Sequence, residues 1–193
     1  MKVHIALGAV PAKTLREAAL VPEVRGTLER WIKAQPATEQ GVLIGGLALS
    51  FYARPRQTQD VDLLFADHAP SDLNTTFFKR TRDHAAIDKK DHVELEFVTH
   101  KTIGVPKSVT DRVIETAWSV GPGQPRIASL DSMIVLKLYG SDTARRHLQD
   151  SADIQAMLEH NRRLDIEELI DSWGLSEKHA QHLRKLHELA TGE

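Results

Sequence analysis

A chain of 193 residues with 41% hydrophobic residues, no cysteine and a net charge of −2 is long enough to bury a core of its own. Its composition excludes disulfides, thiolate metal sites and cysteine nucleophiles, and no apolar stretch reaches the roughly 20 residues of a membrane span. Any metal must be held by oxygen or imidazole. The charge balance gives no global field for a polyanion, and no basic stripe is visible in the linear sequence. The first twenty residues lack a signal-peptide cleavage context, so the expected location is the cytoplasm.

In chain order, the alternation of Val3, Ile5 and Leu7 predicts a short strand. A helical pattern over residues 12–34 is divided by Pro22, and Leu28, Trp31 and Ile32 give its second piece a buried face. "GVLIGG" reads as a buried strand stopped by glycines, "LALSFYA" as a helix and "TQDVDLLF" as a second strand. "PSDLNTTFFKRTRD" is predicted helical with Ser71 or Asp72 as its cap. "HVELEFVT" alternates strictly, with Val93, Leu95 and Phe97 on one face and Glu94, Glu96 and Val98 on the other.

A helix is expected over "KSVTDRVIETA", followed by the turn-rich "GPGQPR". From Ser129 the texture is helical: "SLDSMIVLKLY" behind a serine cap, then "TARRHLQDSADIQAMLEH". "LDIEELIDSWG" carries a D-x-x-E box from Asp165 to Glu168 and a Gly174 stop, and "SEKHAQHLRKLHELA" closes the chain. A mixed α/β core over residues 1–128 and a helical region over 129–193 follow from this order.

Asp60 and Asp62 end an apolar run, and residues two apart on a strand share a face. Two carboxylates so placed repel unless one is protonated or a cation lies between them, and an all-oxygen set favours Mg²⁺ or Mn²⁺. Gly45 and Gly46 allow close approach to main-chain amides, and Arg54, Arg56 and Thr58 are suited to phosphate oxygens. Glu94 and Glu96 share the polar face of the later strand, and beside "DVDLLF" they would add a third acid. Taken alone, a D-x-D is an ordinary turn or cap, a Gly-Gly an ordinary turn, and two glutamates suit a solvated edge strand.

Together, in this order, they resemble the nucleotidyltransferase superfamily related to DNA polymerase β, whose signature is a hydrophobic residue, Gly-Gly or Gly-Ser, Asp-x-Asp and a later acid between hydrophobic residues. Here those positions read Ile44, Gly45, Gly46, Asp60 and Asp62. Both "VEL" and "LEF" fit the third acid; Glu96 is favoured over Glu94. "GGLALSFYARPRQTQDVDLLF", with "RIASLDSMIVLKLYG" and "RRHLQDSADIQAML", is most similar to the AbiEii-type abortive-infection group, over roughly residues 40–160. The resemblance implies a nucleotidyltransferase fold, a small mixed sheet flanked by helices and followed by a helical region. It implies a metal held by Asp60, Asp62 and Glu96, and a nucleoside triphosphate held by Gly45, Gly46, Arg56, Thr58 and Lys137. Asp150 would complete the catalytic set.

The activity so implied is Mg²⁺-dependent transfer of a nucleoside monophosphate to a hydroxyl of an RNA, such as tRNA, or of a protein, as the toxin partner of a cognate antitoxin. A small-molecule acceptor and a non-catalytic nucleotide-binding protein are the alternatives. Helical spacing places Lys137 on the apolar face, seven residues after Leu130, where a lysine either snorkels or meets a triphosphate. Asp150 flanks the buried face of the next helix, whereas Asp153 is expected to point outward. His179, His182 and His187 form no zinc motif and are expected to face solvent, while Trp31, Trp118, Trp173, Phe51 and Tyr52 are expected to pack in the core.

Overall fold

The computed structural model describes residues 15–18, 21–54, 57–119 and 124–192. The predicted strand at Val3, Ile5 and Leu7 lies outside them. Two helices open the described chain, α1 (Leu15–Ala18) and α2 (Pro22–Ala34), and Pro22 stands at the start of the second. A missing N–H costs nothing there, because first-turn amides lack helical partners anyway. The buried face of α2 comprises Val24, Thr27, Leu28, Trp31 and Ile32.

Next come β1 (Val42–Ile44), α3 (Gly45–Leu49), β2 (Asp60–Leu64), β3 (Phe78–Arg82), β4 (Ala85–Asp88) and β5 (Glu94–Val98). They are followed by α4 (His100–Ile103), α5 (Lys107–Glu115), β6 (Trp118–Ser119) and β7 (Arg126–Ile127). The strands form one seven-stranded mixed sheet in the order β3-β4-β5-β2-β1-β7-β6. β2 runs parallel to β5 and β1 parallel to β7, while the other neighbours are antiparallel. The chain is thus mixed α/β, and no helix among its described residues is long and apolar enough to cross a membrane.

Alternation assigns the two faces of the central strands. Val61, Leu63, Leu95 and Phe97 turn into the core, where Trp31 of α2 stands 5.3 Å from Phe97 and 5.5 Å from Phe78, ring to ring. Asp60, Asp62, Glu94 and Glu96 therefore share the other face. With β4 and β2 on its two sides, β5 is an interior strand rather than an edge.

Residues 130 to 192 contribute α6 (Leu130–Gly140), α7 (His147–His160), α8 (Ile166–Trp173) and α9 (Glu177–Thr191). The predicted caps form. Ser129 Oγ accepts from the Ser132 amide, Asp165 accepts from the amides of Glu167 and Glu168, and Gly174 ends α8 with φ 58°. α6 shows almost no polar face, because all but three of its residues are buried, with α3, α7 and α9 packed around it.

Three expectations are corrected. Residues 70–83 are not helical: a turn, in which the Thr76 amide donates to Asn74 Oδ1 at 3.1 Å, leads into edge strand β3. Pairing of Phe78–Arg82 with the unpredicted β4 satisfies its backbone, and Phe78 anchors the strand in the core. The glycines do not merely stop β1; Gly45 is the first residue of α3, which ends at Leu49. His179 is buried, not solvated: its Nε2 lies 3.0 Å from Asp142 Oδ2 and its ring lies 4.6 Å from that of Tyr139.

Candidate active-site cleft

The register of the parallel pair β2 and β5 sets Asp60 opposite Glu94 and Asp62 opposite Glu96. On its other side Asp62 pairs with Ile44, the last residue of β1, so its side chain stands where the chain turns into α3. Gly45 there has φ 69°, and a Cβ would overlap the Asp62 carboxylate. Both reasons demand glycine: the left-handed backbone and the space occupied by the acid. Gly46 is buried behind it.

A cleft of about 610 Å³ opens on this face. Gly45, Gly46, Thr58, Asp60, Asp62 and Glu96 line one side, and Val98, Ile103 and Val105 continue that wall. Met133, Leu136, Lys137 and Gly140 of α6 and Arg146 at the entry to α7 line the other. The glutamate pair is thereby separated. Glu96 faces the cleft, whereas Glu94 is ion-paired with Arg82 at an exposed position and does not line it.

Among the cleft's acids, Asp62 carries the clearest electrostatic cost. Its carboxyl is pushed up to about 7, first by burial and then by the charges of Asp60 and Glu96, against the pull of Lys137 and Arg146. Asp60 is exposed, and the Thr58 hydroxyl donates to its Oδ1 at 2.8 Å. Thr58 therefore orients an acid as well as lining the cleft. As the side chains stand, no three His, Asp or Glu residues among those described are drawn together as a metal-ligand group. The donor chemistry nevertheless fits a hard cation: three carboxylates on adjacent strands, one raised by burial and by its neighbours, with no cation among the described lining residues on the β2 and β5 side.

On the opposite side, Lys137 is buried, and its Nζ lies 2.7 Å from Asp150 Oδ1 and 2.7 Å from Asp153 Oδ2. Asp153 is therefore not outward-facing; α7 packs against both α6 and α9, so acids a turn apart along it both lie inside. The ammonium donates a hydrogen bond to Asp150 and lines the cleft while ion-paired with both aspartates. Desolvating one cation with two anions is expensive, and the second cation at this corner is Arg146, whose Nε lies 3.3 Å from Asp150 Oδ2. Arg146 was not singled out from the sequence; its place four residues before Asp150 on one helix was the available signal.

Asp60, Asp62, Glu96, Gly45, Gly46, Thr58 and Lys137 thus meet around one cleft, with Asp150 behind Lys137. Arg56 lies outside the described residues. Phe51 and Tyr52 pack in the core, the Tyr52 hydroxyl donating to the Ala128 carbonyl at 2.8 Å. Of the tryptophans, Trp31 is buried, while Trp118 and Trp173 are half-buried at its margin, Trp173 under the Arg112 guanidinium. No protein-family profile and no curated protein matches the chain. What the fold and site define is a mixed α/β protein with an acidic strand face opposed by a buried lysine.

Proposed function

We propose that the protein is a Mg²⁺-dependent nucleotidyltransferase of the DNA polymerase β-like type, moving a nucleoside monophosphate from a nucleoside triphosphate to a hydroxyl of an RNA or protein acceptor. One observation carries the reading: the parallel register that sets Asp62 beside Glu96, next to Gly45 and across a cleft from Lys137. Asp60, Asp62 and Glu96 would hold the metal, which when bound neutralises the converging oxygens of carboxylates and phosphates. Thr58 keeps Asp60 oriented. Gly45 leaves room for the Asp62 carboxylate at the turn into α3, and Lys137, hydrogen-bonded to Asp150, presents its positive charge to the phosphates across the cleft.

In the reaction the acceptor oxygen attacks the α-phosphorus, the bond from that phosphorus to the bridging oxygen breaks, and pyrophosphate leaves. The hydroxyl proton passes to a carboxylate of the cleft or to solvent. Positioning and electrostatics supply the acceleration, since no covalent intermediate is needed. The test is transfer from labelled nucleoside triphosphates to RNA, total protein and small hydroxyl compounds, with pyrophosphate release measured in parallel. Mg²⁺-dependent release that Asp62→Ala abolishes is the expected result. Tight nucleotide binding with transfer to none of the three acceptor classes would overturn the catalytic reading.

A further inference from the structure

The α6 and α7 side of the cleft offers two cations among its described lining residues, Lys137 and Arg146, and they are not equivalent. Lys137 is buried, hydrogen-bonded to Asp150 and ion-paired with both Asp150 and Asp153. Arg146 is half-exposed, and its ion pair among the described residues is with Asp150, through Nε. The two Nη groups, four N–H donors in a planar fork, are left for the cleft. That fork matches the paired oxygens of a phosphate in a way an ammonium cannot.

Asp150 is built to hold Arg146 there. Its carboxylate is fully buried, with Oδ1 on Lys137 and Oδ2 facing Arg146, and Oδ2 has no hydrogen bond of its own. The acid reaches this position because α6 carries Gly140 where it passes α7; a Cβ at Gly140 would collide with Oδ2. One buried carboxylate thus fixes a lysine from α6 and an arginine from α7 on the same side of the cleft. An ordinary i,i+4 surface pair would not require a buried acid or a glycine in the facing helix.

We infer that Arg146 is a polyphosphate-binding residue of the cleft, gripping the β- and γ-phosphates of the substrate, with Asp150 as its positioning residue. The identity of the ligand as a nucleoside triphosphate rests on the proposed nucleotidyltransferase function; the anion site itself rests on the geometry of Arg146, Asp150 and Gly140.

Titration calorimetry with inorganic tripolyphosphate, and with the four nucleoside triphosphates in Mg²⁺, tests both levels. Arg146→Ala should weaken every one of these ligands roughly 10- to 100-fold, the loss of one or two charge-assisted hydrogen bonds. Arg146→Lys should recover only part of the loss, because the fork is gone. Arg145→Ala, the same charge change at the neighbouring exposed residue that does not line the cleft, should stay within about twofold of the wild type. Arg146→Ala removes a half-exposed side chain, so its melting temperature should stay close to that of the wild type. If Arg146→Ala binds as tightly as the wild type, or no more weakly than Arg145→Ala, the inference falls and the nucleotidyltransferase reading stands. If the wild type binds tripolyphosphate through Arg146 but no nucleotide, the reading falls and the anion site stands. If the wild type binds neither, both fall.

Discussion

Asp88, at the end of β4, and Asp62, in the middle of β2, are both drawn away from water, and the fold treats them in opposite ways. Around Asp88 every need is met. Arg30 donates through Nε at 3.0 Å and Nη2 at 2.5 Å and also pairs with Asp91, while the Thr27 hydroxyl and the Asp91 amide add two further donors. Burial alone would raise the Asp88 carboxyl, but these donors outweigh it and hold it below the usual carboxylate range. Around Asp62 the nearest strand neighbours are acids, and the carboxyl rises to about 7. The same residue type is thus a staple in one place and a liability in the other. On the proposed function, a metal ion would offset that liability, opposite the cations Lys137 and Arg146.

The comparison can be broken at either end. The largest effect is expected from Arg30→Ala, which strands the fully buried Asp88 and should cost about 3 to 5 kcal/mol in denaturant unfolding. Asp62→Asn should do the reverse. A raised carboxyl contributes stability that is present below its unfolded value, near 4, and is lost as pH rises through about 7. At pH 8 the variant should therefore be more stable than the wild type by about 2 to 4 kcal/mol, and urea titrations should show that gain vanishing near pH 4.

Gly45→Ala forces a side chain onto both a left-handed backbone and the Asp62 carboxylate. About 1 to 3 kcal/mol of stability should be lost, together with pyrophosphate release. The smallest effect belongs to the glutamate pair. Glu94→Gln breaks an exposed pair with Arg82 and should change stability by less than about 1 kcal/mol with activity retained. Glu96→Gln should abolish turnover while leaving the fold intact, and a reversal of these two phenotypes in the same assays would move the third acid to Glu94.

Local signals carried much of this into the sequence. Strict alternation makes β5 legible and the D-x-D in an apolar run makes β2 legible, so the shared faces of Asp60 with Asp62 and of Glu94 with Glu96 can be read before any pairing is known. The caps at Ser129 and Asp165 and the stop at Gly174 are likewise written in a few adjacent residues. What could not be read depends on partners distant in sequence. β3 and β4 exist because they pair with each other and with β5, so a stretch containing Ser71 and Asp72 was mistaken for a capped helix. A single amphipathic face was assumed for α7, whereas α6 and α9 both cover it, which buries Asp153. Glu96 is favoured over Glu94 from the sequence, but the ground for it, Arg82 occupying Glu94 from β3 two strands away, lies in the pairing.

The claim that Asp62 is left unmatched for a cation is tested most directly by thermal melting of the wild type and Asp62→Asn at pH 8, in EDTA and in Mg²⁺. Binding to the folded state alone raises the melting temperature. The account predicts that Asp62→Asn melts above the wild type in EDTA, and that Mg²⁺ raises the wild type but leaves the variant where it was. An Asp62→Asn protein that melts below the wild type in EDTA, or that gains as much from Mg²⁺, would contradict it.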